Sequence, residues 1–135
     1  MELSNEDKIK RFHYEEILLI LYICASEISQ YDEDSLVLFA EDIEGRVEDL
    51  FVVEYLIGLH KFLQLNEDIL EDFERLREII TGIYSSQWHT KMNSQDPQWS
   101  KANSLAKKIL QDINVVFVEP NSFKDDEKHL NIDWM

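Results

Sequence analysis

Nine consecutive apolar residues, ILLILYICA from Ile17 to Ala25, constrain this chain more than any other feature of its sequence. They continue a helical pattern that begins near Asn5, where Ser4 can cap the first turn, so we predict a helix over 5–29. A helix that is apolar on every side is stable in water only when other elements surround it. We therefore expect this helix to lie at the centre of the fold.

The remaining helices are delimited by capping residues and by breaks in the pattern. A second helix is predicted from Asp34 or Ser35 to Ile43, because both residues can cap it. The segment EDLFVVEYLIGLHKFLQL, 48–65, is apolar almost all round. Its β-branched and aromatic residues leave a buried strand as the alternative, but its length favours a third helix.

Two further helices are predicted after this segment. One begins after the capping residue Asn66 and runs to about Trp88, with apolar residues at helical spacing on one face. The other runs from Pro97 to about Ile113, since proline at the first helical position loses no hydrogen bond. We interpret the polar stretch QWHTKMNSQDPQWS as the connection between these helices, with Trp88 and Trp99 packed near each other. VVFVE, 115–119, is predicted to be a short strand or an extended segment.

Length and composition agree with this helical pattern. The chain has 135 residues, with only three glycines and two prolines, which argues against a turn-rich all-β fold and against disorder. We predict an all-α fold: a single-domain bundle of about five helices over 1–135. Its helical core covers 1–114, and an appendage over 115–135 docks on that core.

The charge of the chain is strongly negative and unevenly distributed. Thirteen basic and 28 acidic residues give 13 − 28 = −15. From Glu27 to Asp49, nine acidic residues face Arg46 alone. Such a surface repels nucleic acid and anionic lipid, and it steers a basic partner towards itself. Solubility alone is the alternative explanation for this acidity.

The sequence contains no pattern that indicates catalysis or metal binding. The four histidines lack metal-ligand spacing, the acids at 32–34 fail the EF-hand pattern, and there is no P-loop or nucleophile motif. The lone cysteine, Cys24, lies in the apolar run, as a small core residue would. We expect a protein that is not an enzyme and uses no cofactor or metal. Without a recognisable signal peptide or membrane span, it is expected to be soluble and cytoplasmic.

Carboxylates on the predicted helices form the candidate partner-binding surface. Their complement is a partner rich in lysine and arginine, because such pairs are charge-assisted. Aromatic residues would anchor the centre of the contact, and Tyr31, Trp88 and Trp99 are candidates. The predicted partner-binding residues are Tyr31, Asp32, Glu33, Asp34, Glu41, Asp42, Glu44, Glu48, Asp49, Glu67, Asp68, Glu71 and Asp72.

The segments YDEDSLVLFAEDIEGRVEDL and NEDILEDFERLREI carry a resemblance at the level of size and charge. In these respects the chain resembles the small acidic helical immunity proteins of bacteria, of the colicin and contact-dependent growth inhibition types. The resemblance implies a monomeric antitoxin that binds and neutralises a cognate basic toxin domain, such as a nuclease. Two alternatives remain: a DNA mimic that inhibits a DNA-binding protein, and an oligomeric adaptor whose apolar helices over 17–25 and 50–63 are partly interfacial.

Overall fold

The computed structural model describes residues 4–44, 46–59, 62–84 and 96–125. Within these ranges the regular structure is helical and no strand is present, so the all-α prediction is confirmed. A 3-10 turn over Ile28–Gln30 joins the first two helices. The helices are α1 (Asn5–Ala25), α2 (Glu33–Ile43), α3 (Arg46–Leu50), α4 (Val53–Ile57), α5 (Glu67–Tyr84), α6 (Pro97–Asp112) and α7 (Pro120–Asp125).

Helix α1 is the central element, as its apolar run predicts. The Ser4 hydroxyl accepts a hydrogen bond from the Asp7 amide at 3.1 Å, and the helix extends for about 31 Å. Each residue from Ile17 to Ala25 is at most 7% exposed. The helix ends four residues earlier than predicted, where Ser26 turns extended and its hydroxyl donates to the Ile23 carbonyl at 2.7 Å. No helix in the described ranges is long and apolar enough to cross a membrane.

Helix α6 packs along α1 on one side and along α5 on the other. The Asp96 carboxylate accepts the amides of Gln98 and Trp99, at 2.9 and 3.1 Å, and Pro97 occupies the first helical turn. This start confirms the prediction made from Asp96–Pro97. The predicted apolar face of α5 is also confirmed, because its members are all buried: Ile69, Phe73, Leu76, Ile80 and Ile83.

The predicted third helix over 48–65 is wrong. The chain forms two five-residue helices, α3 and α4, and residues 63–66 are not helical. The break falls at Val52, which is extended with φ −100° and ψ 133°. In a straight helix Phe51 would point about 140° away from Leu56 and about 80° away from Leu59. The break allows all three to be buried, with the Phe51 ring edge-on to Phe73 at 5.0 Å between centroids.

After α6 the chain turns back over α1. Asn114 has a positive φ of 60°, and residues 115–119 then run without a turn or bend and without forming a strand. Helix α7, which the sequence analysis did not predict, packs its Phe123 ring edge-on to Tyr22 at 5.1 Å. Within the described residues, the part of the appendage up to 125 contacts α1 through this helix. Its remainder, 126–135, lies outside the described residues, as does Trp88.

Candidate acidic recognition surface

The acids at the start of α2 have a structural role of their own. Asp32 caps the helix by accepting the Ser35 amide at 2.8 Å, and this hydrogen bond lowers the pKa of the Asp32 carboxyl. Glu33 and Asp34 are exposed in the first turn. Carboxylates stabilise a helix at this end because they oppose the positive end of the helix dipole. These three acids are accessible to a partner, but helix formation alone also accounts for them.

The acids at the end of α2 and in α3 are placed differently. Glu41, Glu44, Glu48 and Asp49 are all exposed. Arg46, the cation that sequence analysis placed among them, donates from Nε to Glu16 Oε2 of α1 at 2.6 Å. The positive charge of Arg46 is therefore paired with Glu16, and it does not neutralise the four exposed carboxylates.

Asp42 differs from its acidic neighbours. It is largely buried, and Lys124 of α7 donates to its Oδ2 at 2.7 Å. The pair fastens α7 to α2, with side chains that are 20% exposed for Asp42 and 30% for Lys124. Asp42 thus belongs to an intramolecular contact and is not an open acceptor for a partner.

Helix α5 contributes acids from its first two turns. The side chain of Asn66 caps the helix by accepting the Ile69 amide at 2.9 Å, as predicted, and Glu67, Asp68 and Glu71 are exposed. Asp72 is instead buried at 7% exposure and forms a salt bridge with Lys108 of α6. Because Asp72 is buried, its exposure does not support the prediction that it contacts a partner.

Helix α3 brings these groups together, because it contacts both α2 and α5. Phe51, directly after α3, packs on Phe73 in the second turn of α5. The acids of α3 consequently lie between the end of α2 and the start of α5, whereas those at the start of α2 are about 16 Å away along that helix. We call the exposed acids at the end of α2, in α3 and in the first two turns of α5 the acidic surface. It comprises Glu41, Glu44, Glu48, Asp49, Glu67, Asp68 and Glu71.

Ten of the twelve predicted carboxylates are exposed, and none of the ten forms a salt bridge with a described residue. The described cations that form salt bridges pair with other carboxylates. Among the predicted partner-binding acids, only Asp42 and Asp72 form salt bridges with described residues, and these two are not exposed. In the described part of the chain, the full set of salt-bridged carboxylates is Glu6, Glu15, Glu16, Glu27, Asp42, Asp72 and Asp112.

The aromatic candidates are less available than predicted. Trp99 is 1% exposed and belongs to the core, so its assignment as a partner anchor is wrong. Tyr31 is half-buried with its ring edge-on to Phe39, and its hydroxyl donates to Glu119. Burial, and then this hydrogen bond, raise the pKa of Tyr31 to about 12. Trp88 lies outside the described residues.

The apolar surfaces predicted for an oligomeric adaptor are largely internal. The run over 17–25 is buried within the chain, as are Leu50, Phe51, Leu56, Leu59 and Leu63. Within 50–63, however, Ile57 is 54% exposed, and outside both segments the most exposed large apolar side chain described is Val116, at 83%. The sequence contained a signal for this feature, since VVFVE had no strand partner in the predicted fold.

Reactive groups are buried or dispersed in the described residues. No three side chains of histidine, cysteine, aspartate and glutamate come together as metal ligands there. Cys24 is fully buried, which raises the pKa of its thiol to about 12. Among the histidines, His13 is described and hydrogen-bonds with the Tyr55 hydroxyl.

Comparison with known proteins found no relative: no family model, no curated protein and no solved structure matches this chain.

Proposed function

We propose that this chain is a non-enzymatic, cytoplasmic immunity protein that binds a basic bacterial toxin domain, such as a nuclease, and neutralises it. One observation carries the proposal: none of the exposed carboxylates of the acidic surface has a cationic partner among the described residues, whereas acids elsewhere such as Glu16, Glu27 and Asp42 do. An uncompensated negative surface on helices that share one core is suited to occupy a groove that normally holds phosphates.

The physical advantage of such a surface lies in the association step. Long-range attraction between opposite charges raises the association rate, and this gain falls as salt screens the field. An antitoxin benefits because it must capture the toxin before the toxin finds its substrate. The burial of Trp99 leaves the proposal without a described aromatic anchor other than Tyr31, so the contact depends mainly on charge pairs.

The test is binding to the small basic domain expected at the end of a large secreted protein encoded immediately upstream. The protein should co-purify with that domain and restore growth to cells that produce it. Reversing Glu44 and Glu48 to lysine should slow association about tenfold at low salt and flatten its salt dependence. The matched control reverses Glu54 and Glu78, which are also exposed and form no salt bridge with a described residue but lie outside the acidic surface.

Two results would contradict the proposal. Equal association rates for both double variants would show that the acidic surface plays no special part. Binding with no protection of growth would remove the antitoxin role. Exclusion of a duplex DNA probe from a DNA-binding partner would instead favour the DNA-mimic alternative.

A further inference from the structure

A surface groove of about 420 Å³ runs between α5 and α6. Lys108, near the end of α6, pairs with Asp72, near the start of α5. At the other end Gln98 of α6 lies beside Gly82 of α5, so the two helices run antiparallel. The described residues that line the groove all belong to these helices: Arg75, Ile79, Ser100, Lys101, Ser104, Leu105 and Lys108.

The floor of the groove is apolar, and each wall carries a cation. Leu105 is 9% exposed, and Ile79 is half-buried against the core. In the antiparallel packing Arg75 lies opposite Leu105. One turn further along, Ile79 lies opposite Lys101. The two cations therefore stand on opposite walls, about 6 Å apart along the helix axes.

These two cations are available to a ligand. Arg75 and Lys101 are exposed, and neither forms a salt bridge with a described residue. Lys108, by contrast, is already paired with Asp72 and Asp112. No acidic residue lines the groove in the described part of the chain. In a protein of net charge −15, the groove is therefore a local site of uncompensated positive charge.

The acids nearest to Arg75 along α5 lie outside the groove. Glu71 and Glu78 are its neighbours on the helix surface, but helical spacing places them on the side away from Ile79 and from α6. On α6, the only acidic residue is Asp112, at the C-terminal end, against three lysines. The α6 wall is therefore the more positive of the two.

The walls also determine which backbone an occupant can have. Both walls are helices, whose amides and carbonyls are bonded within each helix, so they offer no open edge to an extended strand. A helix pairs its own backbone groups, and the apolar stripe of an amphipathic helix fits between two other helices. Apolar residues of that stripe would cover Ile79 and Leu105. Carboxylates on its flanks would meet Arg75 and Lys101 in charge-assisted pairs.

Nucleic acid and anionic membranes fit this site less well. Both are larger than the groove, so they would also meet the exposed acids Glu71, Glu74 and Glu78 of α5. The net charge of −15 repels both. A single acidic helix is confined to the groove, and at physiological salt the charges more than about 8 Å away from it are largely screened.

We propose that the groove between α5 and α6 binds an amphipathic helix of a partner protein, with aspartate or glutamate on the flanks of its apolar stripe. The inference does not depend on the proposed function, because no residue of the acidic surface is among the described residues that line the groove. It gives the two surfaces of one chain opposite preferences. The acidic surface attracts cations, and the groove attracts carboxylates.

The probe is the fluorescently labelled helical peptide acetyl-ELAQLEAELAQLEAELAQLEA-amide, with binding followed by anisotropy at physiological salt. Its leucines form one stripe, and its glutamates flank that stripe. We expect Lys101→Glu and Arg75→Glu each to weaken binding about tenfold, because a like charge then faces the glutamates. Lys107→Glu is the matched control, since it makes the same charge change at an exposed position of α6 outside the groove, and it should bind within about twofold of wild type.

Equal binding of the peptide to wild type, Lys101→Glu and Lys107→Glu overturns the inference, as does the absence of measurable binding to wild type. Circular dichroism checks that each variant keeps its helices. A scrambled peptide of the same composition, which has no apolar stripe, should bind about tenfold more weakly, and equal binding of the two peptides refutes a helix as the occupant.

Two other occupants are tested with the same variants. Displacement of the peptide by inorganic phosphate, at constant ionic strength, would make the groove a simple anion site and overturn the inference. Binding of wild type, but not of Lys101→Glu, to vesicles that contain anionic phospholipid would overturn it in favour of a lipid surface. The immunity function is tested separately, because these variants leave the acidic surface unchanged.

Discussion

Asn103 closes the C-terminal end of α1 from the neighbouring helix α6. Its side-chain amide donates to the Cys24 carbonyl at 2.8 Å and to the Ser26 carbonyl at 3.1 Å. Carbonyls at the end of a helix have no donor within that helix, so a side chain from elsewhere must satisfy them when they are buried. Both Cys24 and Ser26 are buried, which makes Asn103 a sensitive position for stability.

The expected loss for Asn103→Ala follows from these two hydrogen bonds. Each is worth about 1 kcal/mol net, so removing both lowers the free energy of unfolding by about 2 kcal/mol. Two effects reduce this figure. A cavity of about 190 Å³ beside Asn103 has room for water to replace the amide. Alanine also has a higher helix propensity than asparagine, by up to about 0.7 kcal/mol. The net loss is therefore about 1 kcal/mol.

A control at the next position separates hydrogen bonding from propensity. Ser104 is exposed on α6, and Ser104→Ala gains a similar propensity without removing a described hydrogen bond. Urea unfolding followed by circular dichroism should place Asn103→Ala about 1.5 kcal/mol below Ser104→Ala, with an unchanged dependence on urea. A difference under about 0.5 kcal/mol would refute the argument that Asn103 holds the end of α1.

Three further predictions concern buried and paired groups. Lys108→Met should lower the melting temperature more than Lys107→Met, because it leaves the buried Asp72 carboxylate without its described cation, whereas Lys107 is paired only at 4.0 Å. Cys24 should react with a thiol reagent only at the rate of unfolding, since burial raises the pKa of its thiol to about 12; rapid labelling of the native protein would contradict this. Burial alone would raise the pKa of the Glu119 carboxyl, but its hydrogen bonds outweigh burial and lower the pKa below 4.5. The hydrogen-bonded carboxylate therefore stabilises the folded protein above pH 4.5, and this contribution is lost as the pH falls through the pKa of the folded state. In melting curves, Glu119→Gln should therefore be less stable than wild type at pH 7, and the difference should shrink as the pH falls below 4.5.

Helix starts and apolar faces could be predicted from the sequence because they depend on local chemistry. Ser4, Asn66 and Asp96 each cap the helix that follows them, and in each case the donor is two or three residues away. The same reasoning would have found α7, since Glu119–Pro120 repeats the pattern of Asp96–Pro97. The acid accepts the first amides and the proline begins the helix in both.

Other features depend on residues distant in the sequence and were therefore missed. The break at Val52 serves the packing of Phe51 on Phe73, and no local break signal outweighed the length of that apolar segment. Asp72 was partly predictable, because it follows Ile69 by three positions and so lies at the edge of the apolar face of α5. Its cation, Lys108, is 36 residues away on another helix. Helical periodicity alone does not show such a pair.

The positions of the acids along the helices indicate which of them are explained by helix stability and which are not. At the starts of α2 and α5, carboxylates oppose the positive end of the helix dipole, so Asp32 and Glu67 are explained by helix stability. Glu41 and Glu44 lie at the other end of α2, where the dipole disfavours negative charge and no basic residue occupies the last turn. Helix formation does not account for acids there, and hydration alone would be served as well by acids at favourable positions. Binding to a basic partner gives these two residues a reason to be where folding disfavours them, which is why they are central to the proposed contact.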